Sequence, residues 1–412
     1  MAGRPRGRRP GLAAALGLGL LLLLSGGLGA AWFWGARERP PERAELDSLP
    51  RPALPLSPAA SATEDPIGAT PPRAAALPRR PLPAQGPVPA STPAGRAGLL
   101  EVCGIGWVPA DEPSLGGRLE DWRERPRADW ERRLEAETEA LRQRLAQDLR
   151  ASAQPFEQQL GLQLGRDFSA AAEQARHSGD AQVYRLALQA CSVPGAGARP
   201  AGCEQLGAQR WAQLEPDNAV PWLLLGQEAL SRGDRSGLEQ ALFQAARARR
   251  LSPAQGLLSA ALAERLPADA QPLARGGLLL ELMGREFAGA MQGISLVPLV
   301  CTAQTLRDAN RRQVCLGLAR LLLDQGRTLM ELGLGLAVAE RLGLPESELP
   351  ASRAQLEAAL RQQEQINPPE ELLSCRGLRR LEDWVREVAR EGEWRALQLR
   401  QRAAAAPAAV AR

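Results

Sequence analysis

LEPDNAVPWLLLGQEALSRGDRSGLEQALFQAA, residues 214–246, decides how the chain is read. Pro216 stops one helix, because proline lacks the amide donor that a helix interior needs. Asp217 or Asn218 then offers a side-chain oxygen to the free N–H groups of a new first turn. Apolar residues follow at helical spacing until Gly233-Asp234 breaks the pattern, and a second amphipathic run continues to about 250. The local unit is a pair of short helices joined by a tight turn.

The same unit recurs in both directions. ADWERRLEAETEALRQRLAQDLR (128–150) places Trp130, Leu134, Leu141, Leu145 and Leu149 on one face, with charges around the rest. Further helical segments are predicted at 156–176, 180–191, 203–214, 218–231, 236–250, 254–265, 271–285, 303–324, 328–342, 352–365 and 370–391. Short Gly, Pro, Ser and Asp clusters separate them, and no alternating strand pattern stands out from Leu119 onward. This predicts an all-α domain over 100–406, an irregular array of antiparallel helical hairpins, with a disordered tail at 407–412.

Residues 214–246 resemble a tetratricopeptide repeat (TPR) at its most recognisable junction. Pro216, Trp222, Leu225 and Gly226 fall at that family's usual offsets. The resemblance implies that small Gly226 lets the paired helix approach closely, and that Ala245 packs between neighbouring repeats. Leu238 departs from the pattern, where alanine is usual, as does Arg250, where a closing proline is expected. The likeness covers about 35–70 residues, without three clean units at the 34-residue period that a regular array needs. It therefore implies TPR-like, solenoid-like hairpins. The order of CGIGW (103–107), a cysteine pair before W..LEPDNAVPW, and DANRRQVC (308–315) also resembles a group of uncharacterised exported or membrane-anchored proteobacterial proteins. That resemblance spans most of 100–395 and implies fold and location, with no activity attached.

The amino-terminal third has different chemistry. Four Arg in MAGRPRGRRP (1–10) precede an uncharged stretch from Gly11 to Gly35, long enough for the ~20 apolar residues of a spanning helix. Arginine ahead of the segment predicts a cytoplasmic 1–10, and Trp32-Phe33-Trp34 suits an interfacial belt. Residues 11–35 are thus read as a single-pass inner-membrane anchor with the carboxy-terminal domain in the periplasm. The strongest apolar run ends near Leu24 and small residues follow, so a cleaved signal and a soluble periplasmic product stand as the alternative. Residues 36–99 form a Pro/Ala-rich disordered linker, with 15 of the 34 prolines in 40–99. As a tether it would span roughly 180 Å if fully polyproline-like and about 40–45 Å as a coil.

Charge follows the same division. All 51 basic residues are Arg; 1–99 carries +6 and 100–412 carries −2, within a net charge of +4. Nucleic-acid binding needs a concentrated basic face, and here the excess lies beside the apolar segment, so nucleic acid is not an expected partner. The missing lysine and the abundance of Ala, Gly, Leu and Pro suggest a GC-rich bacterial genome.

Six cysteines in an exported chain favour disulfides, though six allow 15 connectivities. Cys191 ends one predicted helix and Cys203 begins the next, so a hairpin brings them together across PGAGARPAG. Cys301 and Cys315 would lie about 21 Å apart on one straight helix, so their pairing requires a bend just after Cys301. Cys103 and Cys375 remain and would join the start of the domain to its last helices. No C-x-x-C and no zinc spacing occurs, and neither metal nor cofactor is expected.

Two residues are candidates for catalysis. His177, the only histidine, would have to serve any Ser-His or Cys-His mechanism, but Ser178, Gly179 and Asp180 beside it read as helix stop, turn and N-cap. Glu281, in LLLELMGREF, sits in an apolar run where a desolvated acid would keep its proton; pairing with Arg285 at i+4 is the plainer reading. GISLVPLVC (293–301) is too short to span a membrane and reads as a buried connector. The expected function is a membrane-anchored periplasmic scaffold for a protein or peptide partner. The alternative is a carboxylate-dependent periplasmic hydrolase such as a cell-wall glycosidase.

Overall fold

The computed structural model describes residues 99–109, 129–192, 200–252, 256–366 and 371–405. The tail 1–10, the apolar segment 11–35, the linker up to residue 98 and the tail 407–412 lie outside the described residues. Among the described residues the chain is mostly helical: fifteen α-helices, three 3₁₀ turns and one two-stranded hairpin.

The hairpin was not legible as strand. β1 (Leu99–Val102) and β2 (Gly106–Pro109) pair antiparallel, Leu99 opposite Pro109 and Val102 opposite Gly106. Four residues each are too few for alternation to show. Gly104, at φ 79°, supplies the left-handed residue that the short loop needs. Val102 and Val108 bury against Leu134, Leu273 and Leu378, and the Cys103 N–H donates to the Leu373 carbonyl at 2.9 Å.

α1 (Asp129–Arg150) buries Leu134, Leu141, Leu145 and Leu149, the face its spacing predicts. The segment expected as one helix over 156–176 is two, α2 (Pro155–Leu164) and α3 (Phe168–His177). Arg166 breaks it by taking φ 58°, which non-glycine residues seldom adopt. Asp167 then caps α3, accepting the Ala170 N–H at 3.2 Å. α4 (Ala181–Ser192) follows, and its Tyr184 is fully buried. The Tyr184 hydroxyl donates to the Gly207 carbonyl (3.2 Å) and accepts the Gly207 N–H (3.1 Å), joining α4 to the chain ahead of α5 (Ala208–Leu214). Only the end of the expected 203–214 helix is α-helical; its start is a 3₁₀ turn, Cys203–Gln205.

α6 (Ala219–Ser231) and α7 (Arg235–Arg247) form the unit quoted first. Of the two possible caps, Asn218 serves α6: its Oδ1 accepts the Val220 N–H (3.2 Å) and the Ser252 N–H (3.1 Å). Asp217 instead receives Arg250, Nε to Oδ2 at 2.9 Å, so the arginine standing at the expected proline clamps the end of this unit to its beginning. Trp222 is half-buried and donates from Nε1 to the Pro216 carbonyl at 2.9 Å; Leu225 is also half-buried.

Then come α8 (Leu257–Ala263), α9 (Pro272–Ile294), α10 (Leu296–Val300), α11 (Ala309–Gln325) and α12 (Leu329–Leu342). Helix α9 runs past the expected end at 285 and takes in the start of the apolar 293–301 stretch. The rest of that stretch is largely α10, buried at Leu296, Val297 and Val300 but exposed at Leu299. Last are α13 (Arg353–Ile366), α14 (Cys375–Glu391) and α15 (Glu393–Ala405). The last expected helical segment ends at 391; Gly392 takes φ 82° and α15 starts at once.

Burial organises these elements. The largest core joins residues of α3–α7 with α10–α12. Helix α7 packs on α6 and on α11, and α11 on α12, so two helix pairs separated in sequence by α8–α10 are neighbours in space. A Cβ on Gly317 of α11 would lie 2.8 Å from the Ala246 carbonyl oxygen, and Ala245 beside it is wholly buried. Gly226 is also a close-approach position, but the nearest side chain to an added Cβ is Leu296 of α10, at 2.7 Å. A second core joins α1, α2, α8, α9 and α14. Arg275 of α9 and Glu382 of α14 form a multiply bonded ion pair there, with contacts of 2.6–2.8 Å.

Three disulfides close this body: Cys191–Cys203, Cys301–Cys315 and Cys103–Cys375, with Cα separations of 5.5, 5.8 and 4.5 Å. Helix α10 ends at Val300, and a 3₁₀ turn at Thr305–Arg307 bends the chain before α11, which brings Cys301 and Cys315 together.

Candidate functional site

His177 is the last residue of α3 and is exposed. Its Nε2 lies 3.1 Å from Glu173 Oε1 and 3.0 Å from an Arg176 nitrogen. Ser178 ends the helix, and Asp180 accepts the Gln182 N–H (2.7 Å) and the Val183 N–H (3.4 Å) at the start of α4. The surroundings are those of a helix junction.

Glu281 is buried on α9, but Arg285 is not its hydrogen-bonding partner. Arg142 of α1 donates to its Oε2 at 2.7 Å, and Arg166 donates to its Oε1 at 3.2 Å. Both carboxylate oxygens are thus occupied by guanidiniums, joining α9 to α1 and to the α2–α3 break. The Arg285 guanidinium stacks 5.3 Å from the Phe168 ring centre; burial lowers its pKa, and the Glu281 charge partly restores it.

Three other acids have raised pKa values. Burial pushes Glu286 up to about 7, although it accepts the Leu258 N–H (2.5 Å), the Ser259 N–H (3.3 Å) and the Ser259 hydroxyl (2.6 Å). Burial likewise raises Glu331 and Glu393. Glu331 Oε2 accepts the Arg327 N–H (2.7 Å) and the Thr328 N–H (2.9 Å), while Thr328 Oγ1 accepts the Glu331 N–H (3.1 Å), a capping box on α12. Glu393 accepts the Leu329 N–H (2.8 Å) and Gln363 Nε2 (2.8 Å). These carboxyls hold helix starts.

Glu331, through the Arg327 N–H, borders a cleft of about 720 Å³. Its walls are residues 250–252, the end of α11 with Gly326 and Arg327, Pro350, Glu391, and one face of α15: Trp394, Arg395, Gln398, Leu399 and Arg402. Arg327 is fixed at three points. Its N–H binds Glu331, its carbonyl accepts the Trp394 N–H at 3.3 Å, and its Nη2 donates to the Ala389 carbonyl at 2.9 Å. Arg395 pairs with Glu391 at 3.2 Å, and Arg402 is exposed. Four arginines, Arg250, Arg327, Arg395 and Arg402, line the cleft with two acids, Asp324 and Glu391; the Arg250 guanidinium is held by Asp217, that of Arg327 by the Ala389 carbonyl and that of Arg395 by Glu391. With the Trp394 indole and half-exposed Leu399, this lining suits recognition of anionic groups beside apolar ones. Among the described residues no group of three metal-binding side chains converges.

Of the cleft residues only Arg250 had been singled out from the sequence, and as a departure from the repeat pattern rather than as part of a site. The cleft walls come from four segments spread over more than a hundred residues, so no spacing rule joins them. The one local trace is Trp394, Gln398 and Arg402 at four-residue intervals, the period of a helix face. Comparison with protein-family models, curated proteins and solved structures finds no match to the chain.

Proposed function

We propose that the chain is a membrane-anchored periplasmic scaffold, built from TPR-like helical hairpins, that binds a protein or peptide partner. The cleft beside α15 carries this reading: its volume lies in the ~300–1,000 Å³ range of ligand sites, and its lining offers recognition groups. The packing of α6–α7 on α11–α12 supports a hairpin stack, with α8–α10 as an insertion that removes the regular period from the sequence. Disulfides persist in oxidising compartments, so three of them support export to the periplasm. Residues 11–35 would then supply the inner-membrane anchor and 36–99 the reach. The resemblance to exported proteobacterial proteins agrees with this placement.

Crosslinking in the native host followed by mass spectrometry tests the reading. One dominant partner protein is expected. Turnover of cell-wall fragments by the pure protein, abolished in Glu281→Gln, would replace the scaffold with the carboxylate hydrolase. A carbonate wash that leaves the chain in the membrane fraction supports the retained anchor; release supports the cleaved form.

A further inference from the structure

We infer that the cleft receives an extended acidic peptide segment with an apolar side chain next to its carboxylates, an assignment that rests on the binding reading above. Guanidiniums match carboxylates and phosphates alike, so charge alone does not choose between them. The rest of the lining does. Asp324 and Glu391 stand among the arginines, where they oppose a compact dianion but accept the N–H groups of a peptide backbone. The Gln325 and Gln398 amides add groups of the kind that pair with backbone donors and acceptors. Leu399 is 40% exposed and Trp394 lies on the same wall; neither serves a free phosphate, and both give a Leu or Phe side chain a surface. The site is also concave, a shape that admits a strand of chain and disfavours a flat lipid surface.

The partner is therefore a protein carrying a stretch such as alternating Glu and Leu, bound as an extended strand. Arg395 and Arg402 would meet its carboxylates, and Trp394 and Leu399 its apolar side chain. Arg327, tied through its backbone and its side chain, keeps its wall of the cleft in place without the ligand. Association of this kind weakens with salt, because partly exposed charges are screened over ~10 Å at 0.1 M.

The test is fluorescence anisotropy with the full-length oxidised protein and a labelled Glu/Leu decapeptide. A Gln/Leu decapeptide, inorganic phosphate and anionic phospholipid vesicles are the competitors. Expected results are saturable binding of the acidic peptide, at least about tenfold weaker binding of its Gln counterpart, and no displacement by phosphate or vesicles. The double variant Arg395→Glu, Arg402→Glu, both on the exposed side of α15, loses about tenfold or more with its helical circular dichroism intact. The milder Arg402→Gln gives a smaller loss of the same sign and guards against misfolding of the double variant. Equal affinity for the two peptides, no binding of either, unchanged affinity in the variants, or displacement by phosphate or vesicles each overturns the assignment. A crosslinked partner attached away from α15 would overturn it while leaving the scaffold reading intact; absence of any crosslinked partner would count against the scaffold itself.

Discussion

A carboxyl group that folds best without its charge makes stability fall as pH rises. Glu286 is such a group: its pKa rises from 4.5 to about 7 because burial costs the charged form more than three hydrogen bonds return. The native state binds the proton more tightly than the unfolded chain does. Its stabilising contribution is complete below about pH 4.5 and lost as pH climbs through about 7. The whole effect is on the order of 3 kcal/mol. Urea midpoints at pH 5 and pH 8 should differ in this sense for the native chain, and the difference should shrink in Glu286→Gln. Asp217 acts in the opposite sense: the Arg250 hydrogen bond lowers its pKa, so its contribution fades as pH falls through the folded value. Glu281→Gln should cost on the order of 3 kcal/mol in chemical denaturation, because it takes from buried Arg142 its buried counter-charge and leaves only the partly exposed Glu139.

At the scale of elements, legibility depended on whether the determinants were local. The face of α1 and the turn at Gly233-Asp234 are set by neighbours within a few residues, and the sequence displays them. The break at Arg166 is different. Gly165 and Asp167 mark it locally, as helix end and cap, but what the Arg166 side chain binds is the distant Glu281, which no neighbouring residue announces. Helix α10 shows the same limit, since its apolar residues are explained by the α6 surface that it covers, including Gly226. Helix-to-helix spacing gives a graded prediction. Gly317→Ala sets a methyl 2.8 Å from a backbone oxygen, so α7 and α11 must separate, at about 1–3 kcal/mol. Gly226→Ala meets the tip of Leu296, which can turn aside, and should cost less. Thermal unfolding of the two variants should rank them in that order.

At the scale of the whole molecule, cysteine positions carried more information than their number: Cys191 and Cys203 flank a hairpin turn, whereas Cys315 lies within α11 and Cys103 in the loop of the β-hairpin. The cleft carried no such mark, since its walls meet only after α11, α14 and α15 are in place. The three disulfides constrain loops of very different length, with separations of 12, 14 and 272 residues. Chain-entropy reasoning gives about 3 kcal/mol for the short loops and roughly 5 kcal/mol for the long one. Replacing Cys103 and Cys375 by serine should therefore lower the guanidinium midpoint more than replacing Cys191 and Cys203. Denaturation of each double variant under oxidising conditions checks the order.

The long disulfide also determines where a pull is felt. Tension entering along the chain ahead of Cys103 crosses to Cys375 through a covalent bond, so everything between those two residues is bypassed. The domain cannot be unravelled from its amino-terminal side while that bond is closed. Stretched in an optical trap, the oxidised chain should yield only the contour length lying outside 104–374. Reduction should release the remainder, turning a stiff knot on a string into an extensible one.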